Sequence, residues 1–309
     1  MGKWENTSCG KSMEPFIRKI SYRQAQRLYD LFSERLSYTR TRSGPMRRKL
    51  SIEDKNRFME TIYKKIAHDK DVGSAMFDGL PSEYIDQFHE AKAQYEHLQE
   101  KLKSIGKTLS TEKWPQEEVI EIANNVGAQI TGFAKYYDPY YKRDMASLVF
   151  INYIHDRKVL VPSLEAYTLG FKKNIDIQSI TNKIAETLWA RGIYCEPVSN
   201  ATYYHLDNIE FNQVRFCEAA LSGGIGKHFL FISPQFGPRF RMGQVILYPP
   251  PQMKFQKPKS INFCKDCTIC IDACPSKALQ IDDAIVCSRY FMSHDHCSIC
   301  MDVCPVGKH

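Results

Sequence analysis

The cysteines of this chain are concentrated near its C-terminal end. Of its 11 cysteines, eight lie between residues 264 and 304. They form two runs, Cys264-x2-Cys267-x2-Cys270-x3-Cys274-Pro275 and, after an isolated Cys287, Cys297-x2-Cys300-x3-Cys304-Pro305. This spacing is typical of chains that hold two iron–sulfur clusters, in which the cysteine before each proline binds the other cluster. The sequence therefore predicts two clusters and a role in electron transfer.

The second run contains only three cysteines, so Cys287 is needed as a fourth ligand. We predict two 4Fe-4S clusters, one bound by Cys264, Cys267, Cys270 and Cys304 and the other by Cys274, Cys287, Cys297 and Cys300. Zinc and disulfide bonds are the alternatives, but the three-cysteine opening and the Cys-Pro ends favour the clusters. The remaining cysteines are interpreted as buried or incidental thiols: Cys9, Cys195 and Cys217.

The composition is that of a globular protein with more than one domain. The chain has 309 residues, of which 43% are hydrophobic and 25% are charged, enough for two or three domains. It has no apolar run of about 18 residues, and its N-terminal residues lack the apolar segment of a secretory signal. We therefore expect a soluble, cytoplasmic protein without membrane contact, whose clusters anaerobic conditions would protect.

The net charge of +7 has its densest patch at residues 40–49, RTRSGPMRRK. Such a patch could contact phosphate in RNA or an acidic electron donor. Because the patch is short and contains no aromatic residues, we interpret it as a solvated loop between helices. Nucleic acid is not the expected partner.

Hydrophobic periodicity separates a helical part of the chain from a mixed part. Residues 21–105 have apolar residues at helical spacing, and Pro81 and Gly106 predict the ends of the last helix. Further helices are predicted at 116–128, 180–192 and 212–224, and strands at 147–154, 193–198, 228–234 and 242–248. Three prolines at 249–251 predict an extended link. We assign a helical region to 1–114, an α/β layered domain to 115–252 and a cluster domain to 253–309.

The most distinctive motif of the mixed part is SGGIGKHFLFISPQFGPRFRMGQVIL, residues 222–247. Its glycines would let the backbone approach a ligand closely, and basic side chains follow them. A large anionic or amide-rich cofactor would fit these groups: Gly223, Gly224, Gly226, Lys227, His228, Arg239 and Arg241. The glycine spacing is not that of a dinucleotide fingerprint or a phosphate loop.

This motif, followed closely by the two cysteine runs and the isolated Cys287, resembles the cobalamin-dependent reductive dehalogenases and, more distantly, the epoxyqueuosine reductases. The resemblance covers residues 115–309. It implies an α+β fold in which a nitroreductase-like α/β layered domain binds base-off cobalamin, a corrinoid whose lower base is detached, next to a C-terminal ferredoxin-like domain. The chain departs from these families at Tyr248 and the following prolines, where they usually have Thr-Asp-Leu-Pro, and its N-terminal hundred residues match neither family.

The resemblance also implies a reaction. A ferredoxin- or flavodoxin-type donor would reduce the clusters, which would supply the corrinoid with electrons to cleave a carbon–halogen or other carbon–heteroatom bond of a small molecule. In the dehalogenases the proton donor is a tyrosine supported by a basic residue. We predict Tyr203 or Tyr204 for this role together with Lys227. Corrinoid contacts are predicted for Gly223, Gly224, Gly226, His228, Arg239 and Arg241.

These residues have ordinary structural alternatives. A tyrosine, or a histidine such as His205, is often a hydrogen-bonded core or surface residue, and an arginine often forms an ion pair. Asp138, Tyr140 and Tyr141 could line the pocket or could form a turn. The N-terminal helices could cap the pocket or pair two copies into a homodimer.

Two other functions remain open from the sequence. The chain could be an iron–sulfur electron carrier or corrinoid-handling protein without a substrate of its own. It could also modify a transfer RNA as epoxyqueuosine reductases do, which the positive charge favours and salt-sensitive transfer-RNA binding would support.

Overall fold

The computed structural model describes residues 44, 46–47, 81–109, 114–138, 141–160, 163–198, 211–248, 255–294 and 297–307. The helices predicted before residue 81 and the proline link at 249–251 lie outside these residues. The described residues form an antiparallel sheet, helices on both of its faces, and a C-terminal segment that carries the eight clustered cysteines.

The described residues contain seven α-helices, namely α1 Ser82–Ile105, α2 Gln116–Val126, α3 Leu164–Ala190, α4 Gln213–Ala220, α5 Ile269–Asp272, α6 Ala284–Ser293 and α7 Ile299–Asp302. Short 3-10 helices occupy Gly106–Thr108 and Arg157–Leu160. Helix α3 begins where the Ser163 hydroxyl accepts a hydrogen bond from the Ala166 amide, and α2 ends at Gly127 in the left-handed conformation. Pro81, Gly106 and Pro115 bound helices as predicted.

The main sheet has four strands, β1 Ile130–Asp138, β2 Arg143–Tyr153, β3 Cys195–Pro197 and β6 Phe240–Leu247, in the order β1-β2-β6-β3. All neighbouring strands are antiparallel, with Ile151 paired to Met242 and Leu247 paired to both Ala146 and Cys195. Two further strands, β4 Gly224–Ile225 and β5 Phe231–Ile232, form a small hairpin. This mixture of helices with an antiparallel sheet agrees with the predicted α+β class.

Two hydrophobic cores lie on opposite faces of the main sheet. One face packs Leu148, Phe150 and Val245 against α1, α2 and α3. The other packs Val149 and Met242 against α4 and the small hairpin. Strand β2 is therefore buried on both faces from Met145 to Ile151, which explains why Ser147 is the only polar residue of this stretch.

The structure differs most clearly from the predicted elements in three places. Strand β1 was not predicted, because its apolar residues are interrupted by Gly132 and Lys135; pairing with β2 holds it in the sheet. The strand predicted at 228–234 is reduced to Phe231–Ile232, since a turn brings the Phe229 amide to the Gly226 carbonyl. Helix α3 begins 16 residues before its predicted start at residue 180.

The cysteine-bearing segment has little regular structure of its own. Helices α5 and α7 have four residues each, and α6 has ten. The Asp283 carboxylate accepts hydrogen bonds from the amides of Ile285 and Val286 and so begins α6. Across the described residues, no helix combines the length and the apolar character that a membrane span requires. The predicted domain boundaries stay predictions.

Candidate functional site

Four of the clustered cysteines line a single cavity. They are the first predicted ligand set, Cys264, Cys267, Cys270 and Cys304, and they share the cavity with Phe263, Pro305, Val306 and His228. Cys270 is carried by α5, whereas Cys304 follows α7. The structure therefore brings the end of the second run to the start of the first, the arrangement in which the cysteine before a proline serves the other run's cluster.

The thiols of this cavity act on one another electrostatically. Burial, with the neighbouring Cys264, Cys267 and Cys304, raises the pKa of Cys270 to about 11. Burial also raises the pKa of Cys304, against the charge of Arg239, which lowers it. Four thiolates this close need positive charge between them, and the iron of a cubane cluster supplies it. The donor set thus fits a 4Fe-4S cluster.

A single metal ion makes a different demand on its ligands, which must converge on one point. Among the described residues, no three His, Cys, Asp or Glu side chains converge closely enough to hold one ion. A cubane instead gives each cysteine its own iron, so its four ligands surround a larger volume.

The second predicted ligand set lies in the short helices α6 and α7 and in the chain that follows α5 and precedes α7. Cys274 and Cys300 pack in one apolar cluster with Phe229, Cys270 and Leu279. Cys287 lies in α6, and Cys297 shortly precedes α7. Cys274 of the second set therefore packs in the same cluster as Cys270 of the first cavity. The four-ligand site of the second set stays a prediction.

The glycines of the motif contact the chain that leads into the cysteines. The Gly223 amide donates to the Lys259 carbonyl at 2.9 Å, and the Ile261 amide donates to the Gly223 carbonyl at 2.8 Å. A side chain at Gly224 would overlap the Ile261 carbonyl oxygen. At Gly226 the nearest groups are the side chains of Ile232 and His228. Gly223 and Gly224 thus allow close approach of protein backbone, where we predicted a cofactor.

The residues after these glycines also face the cysteines. Lys227 donates from Nζ to the Cys267 carbonyl at 3.0 Å. His228 is 3% exposed and lines the cysteine cavity, and its Nδ1 accepts from the Leu230 amide at 3.2 Å. Phe229 packs against Cys270. The predicted catalytic role of Lys227 stays a prediction, and the contact with Cys267 is one that the sequence did not reveal.

Arg239 is bound to the second cysteine run. Its Nη1 donates to the carbonyls of Met301 and Cys304 at 3.0 and 2.9 Å, and its Nη2 donates to the Val306 carbonyl. The residue is only 2% exposed. Its described contacts are therefore with protein backbone, whereas we predicted a corrinoid contact.

Arg241, two residues further along β6, has a different environment. Its side chain lies against Gly170 of α3, and burial lowers the pKa of its guanidinium to about 10. No Asp or Glu of the described chain forms an ion pair with it. Of the two predicted arginines, Arg239 is held by backbone carbonyls, whereas Arg241 has no acidic partner among the described residues.

A second polar cluster lies at the other end of the sheet and was missed by the sequence reasoning. The Glu196 carboxylate accepts hydrogen bonds from the hydroxyls of Tyr194 at 2.8 Å, Tyr248 at 3.1 Å and Tyr141 at 3.4 Å. The Arg143 guanidinium stacks over the Tyr248 ring at 3.7 Å. Burial, followed by the charge of Glu196, raises the pKa of Tyr194 and Tyr248. Only Tyr194 is close to Glu196 in the chain; Tyr141 and Tyr248 are 55 and 52 residues away from it, so no local spacing reveals the cluster.

Strand β6 separates this tyrosine–glutamate cluster from the cysteine cavity. Arg239 precedes the strand and Tyr248 follows it, so eight residues of extended chain, about 26 Å, separate Phe240 from Tyr248. Beside the tyrosine–glutamate cluster, Arg47 forms a buried ion pair with Asp138, whose Oδ1 accepts from the Tyr141 amide at 3.1 Å. Asp138 thus forms a turn, and Arg47 is not the solvated residue that we predicted.

Several predicted site residues lie outside the described residues. They are Tyr203, Tyr204, His205 and Tyr140. Of the basic patch, only residues 44, 46 and 47 are described.

The chain is similar in sequence to known reductases, although no protein-family model matches it. Tetrachloroethene reductive dehalogenases from Desulfitobacterium hafniense and Dehalobacter restrictus are 30% identical to it over 119 residues. The matched segment is 38% of this chain and 20% of each relative. The similarity therefore spans about a fifth of the length of these proteins.

Solved structures of reductive dehalogenases share the fold. An N-terminally tagged variant of the catabolic reductive dehalogenase NpRdhA aligns with a TM-score of 0.55 at 15% identity, over 91% of this chain and 41% of the other. The complex of that protein with 3-bromo-4-hydroxybenzoic acid aligns with a TM-score of 0.52 at 16% identity, over 72% and 37%. The predicted resemblance is confirmed: part of the chain is similar in sequence to reductive dehalogenases, the fold is similar to theirs, and the relatives that it matches are oxidoreductases.

Proposed function

We propose that this chain is a corrinoid-dependent reductase that cleaves a carbon–halogen or other carbon–heteroatom bond. For an organic halide, two electrons and one proton would replace the carbon–halogen bond with a carbon–hydrogen bond and release halide. Two 4Fe-4S clusters would deliver the electrons one at a time. When bound, base-off cobalamin would supply the low-potential metal at which the bond is cleaved.

The observation that carries this proposal is the position of the four-cysteine cavity against the glycine motif. His228 lines the cavity, and Lys227 holds the Cys267 backbone at 3.0 Å. A cluster held there would lie within a few residues of the motif on which the resemblance to the dehalogenases rests. Electrons would then need only a short path between the cluster and a cofactor bound at the α/β domain.

The chain offers its own groups for binding a cofactor and for the proton. Arg241 presents a half-buried guanidinium that could hold an anionic or amide group of the corrinoid. Tyr203 or Tyr204 would donate the proton, and a nearby cation would favour the phenolate that remains. Glu196 and its three tyrosines lie too far along β6 to act directly on a group beside the cysteine cavity.

Anaerobic expression with iron and cobalamin tests this proposal. We expect about eight irons per chain, a retained corrinoid with the paramagnetic resonance signal of base-off cobalt(II), and halide release from tetrachloroethene or 3-bromo-4-hydroxybenzoic acid with a chemical reductant. Cys304→Ser should lose about four irons, whereas Cys195→Ser, which changes a buried thiol outside both predicted sets, should keep all of them.

The outcomes separate the alternative functions. Iron without a retained corrinoid would contradict the reductase and support the electron carrier. Corrinoid retention without turnover of any halide would indicate a corrinoid-handling protein. A chain that binds zinc in place of iron would refute both cluster-based functions.

A further inference from the structure

Arg239 joins the α/β domain to the second cysteine run through three backbone carbonyls. The acceptors belong to Met301, Cys304 and Val306, which lie 62 to 67 residues later in the chain. One of them is the carbonyl of a predicted cluster ligand. Because the guanidinium is planar and rigid, its three bonds fix the position of residues 301–307, here called the Cys304 loop.

The backbone around Arg239 leaves no space for the Cys304 loop to move closer to the turn before β6. Gly237 and Gly307 both have positive φ, at 59° and 68°. A side chain on Gly237 would overlap the Val306 carbonyl oxygen, and one on Gly307 would overlap the Gly237 amide. The turn before β6 and the end of the cysteine run are therefore in direct backbone contact, with Arg239 beside them.

The charge of Arg239 is buried. Within the described residues, no Asp or Glu forms an ion pair with it. The guanidinium instead lies against Cys304: its Nη1 is 2.9 Å from the Cys304 carbonyl oxygen, and Cys304 lines the cavity. A reduced cluster carries one more negative charge than an oxidised one, so a buried cation beside it favours reduction.

We propose that Arg239 is a positioning residue that fixes the Cys304 loop and raises the reduction potential of the cluster held by Cys264, Cys267, Cys270 and Cys304. The inference rests on the proposed function to the extent that it requires a cluster in this cavity. It gives Arg239 a role in electron supply, distinct from contact with the corrinoid.

The chain provides a matched control. Arg157 also connects the α/β domain to this segment, through an ion pair of 2.6 Å with Asp302, but its side chain is 66% exposed. Exposed ion pairs contribute little to stability, and water screens their charge. Arg157→Met should therefore change neither the iron content nor the potentials.

The experiment compares Arg239→Met, Arg239→Lys and Arg157→Met with the unchanged chain, each loaded with iron anaerobically. Iron content and potentials from redox titrations followed by paramagnetic resonance are measured, with circular dichroism to verify folding. Arg239→Met should lose up to about four of eight irons, and any cluster that remains in the cavity should have a more negative potential. Arg239→Lys keeps the charge but loses the three-bond geometry, so its potential should lie between those of the unchanged chain and Arg239→Met.

Two results overturn the inference, and a third concerns the proposed function alone. Full iron content with unchanged potentials in folded Arg239→Lys and Arg239→Met would refute it, as would equal effects of Arg157→Met. If Arg239→Met does not fold, the iron content and cluster potential of Arg239→Lys alone test the inference. If the unchanged chain binds no iron, the cluster proposal itself fails.

Discussion

At the scale of single residues, several side chains of the glycine motif hold the cysteine segment. Lys227 binds the Cys267 carbonyl, Arg239 binds three carbonyls of the second run, and His228 lines the cavity between them. Backbone carbonyls are obligatory acceptors, and a buried carbonyl without a donor is costly. The basic residues of the motif therefore donate to backbone carbonyls of the irregular cysteine segment.

A substitution at Lys227 distinguishes this structural contact from catalysis. Lys227→Met removes a charged donor to the Cys267 carbonyl and should lower the free energy of unfolding by about 1.5–3 kcal/mol, with faster loss of iron. Lys227→Arg keeps the charge and a donor and should restore most of the stability. Urea unfolding and iron release measure both effects. If Lys227→Met keeps its stability and iron but loses halide release, the catalytic prediction gains support and the structural one fails.

At the scale of elements, helix α6 depends on its N-cap more than the longer helices do. It has ten residues, carries Cys287, and begins at Asp283, whose carboxylate accepts from two backbone amides at 2.7 and 3.1 Å. Such short helices are marginal alone and rely on caps and packing. The position of the proposed fourth ligand of the second cluster thus depends on this cap.

We therefore expect Asp283→Ala to destabilise α6 by about 1 kcal/mol and to increase the rate at which the second cluster is lost. Asp283→Asn keeps an acceptor at the cap and is the matched control, expected to behave like the unchanged chain. Iron release into a chelator, followed by paramagnetic resonance, shows which cluster is affected. Equal rates of iron release from Asp283→Ala and Asp283→Asn would contradict the proposed dependence of α6 on its cap.

At the scale of the whole molecule, the sheet keeps two polar sites apart. The register places the cysteine cavity beyond the Phe240 end of β6 and the tyrosine–glutamate cluster beyond its Leu247 end. Between them the strand is buried in both hydrophobic cores. A substitution at one of these sites should therefore have no effect at the other.

The tyrosine–glutamate cluster makes stability depend on alkaline pH. Because the folded chain raises the pKa of Tyr194 and Tyr248, it holds their protons where the unfolded chain releases them. The contribution of these two tyrosines to the free energy of unfolding is complete below about pH 10, the ordinary tyrosine pKa, and is lost as the pH rises beyond it. Glu196→Gln removes the charge that helps to raise both pKa values, so its unfolding free energy should decline less steeply above about pH 10.

Urea unfolding between pH 8 and pH 11 measures this difference, and iron content and cluster potentials serve as the independent readout. Glu196→Gln should leave both of these unchanged. A changed cluster potential would show that the two ends of the sheet are coupled, and identical alkaline slopes would show that Glu196 does not act on these tyrosines.

The sequence was enough to predict the resemblance to the dehalogenases and the α+β class, because both depend on short-range patterns such as the spacing of the cysteines. Ligand spacing within a run, helix caps and largely apolar runs such as that of β2 involve residues close together in the chain, so the sequence alone shows them. Strand β1, the docking of Arg239 on the Cys304 loop and the three tyrosines around Glu196 depended on the tertiary structure. In these, strand pairing or side-chain contacts join residues that are mostly far apart in the chain, and packing rather than spacing decides which of many basic or phenolic side chains meet.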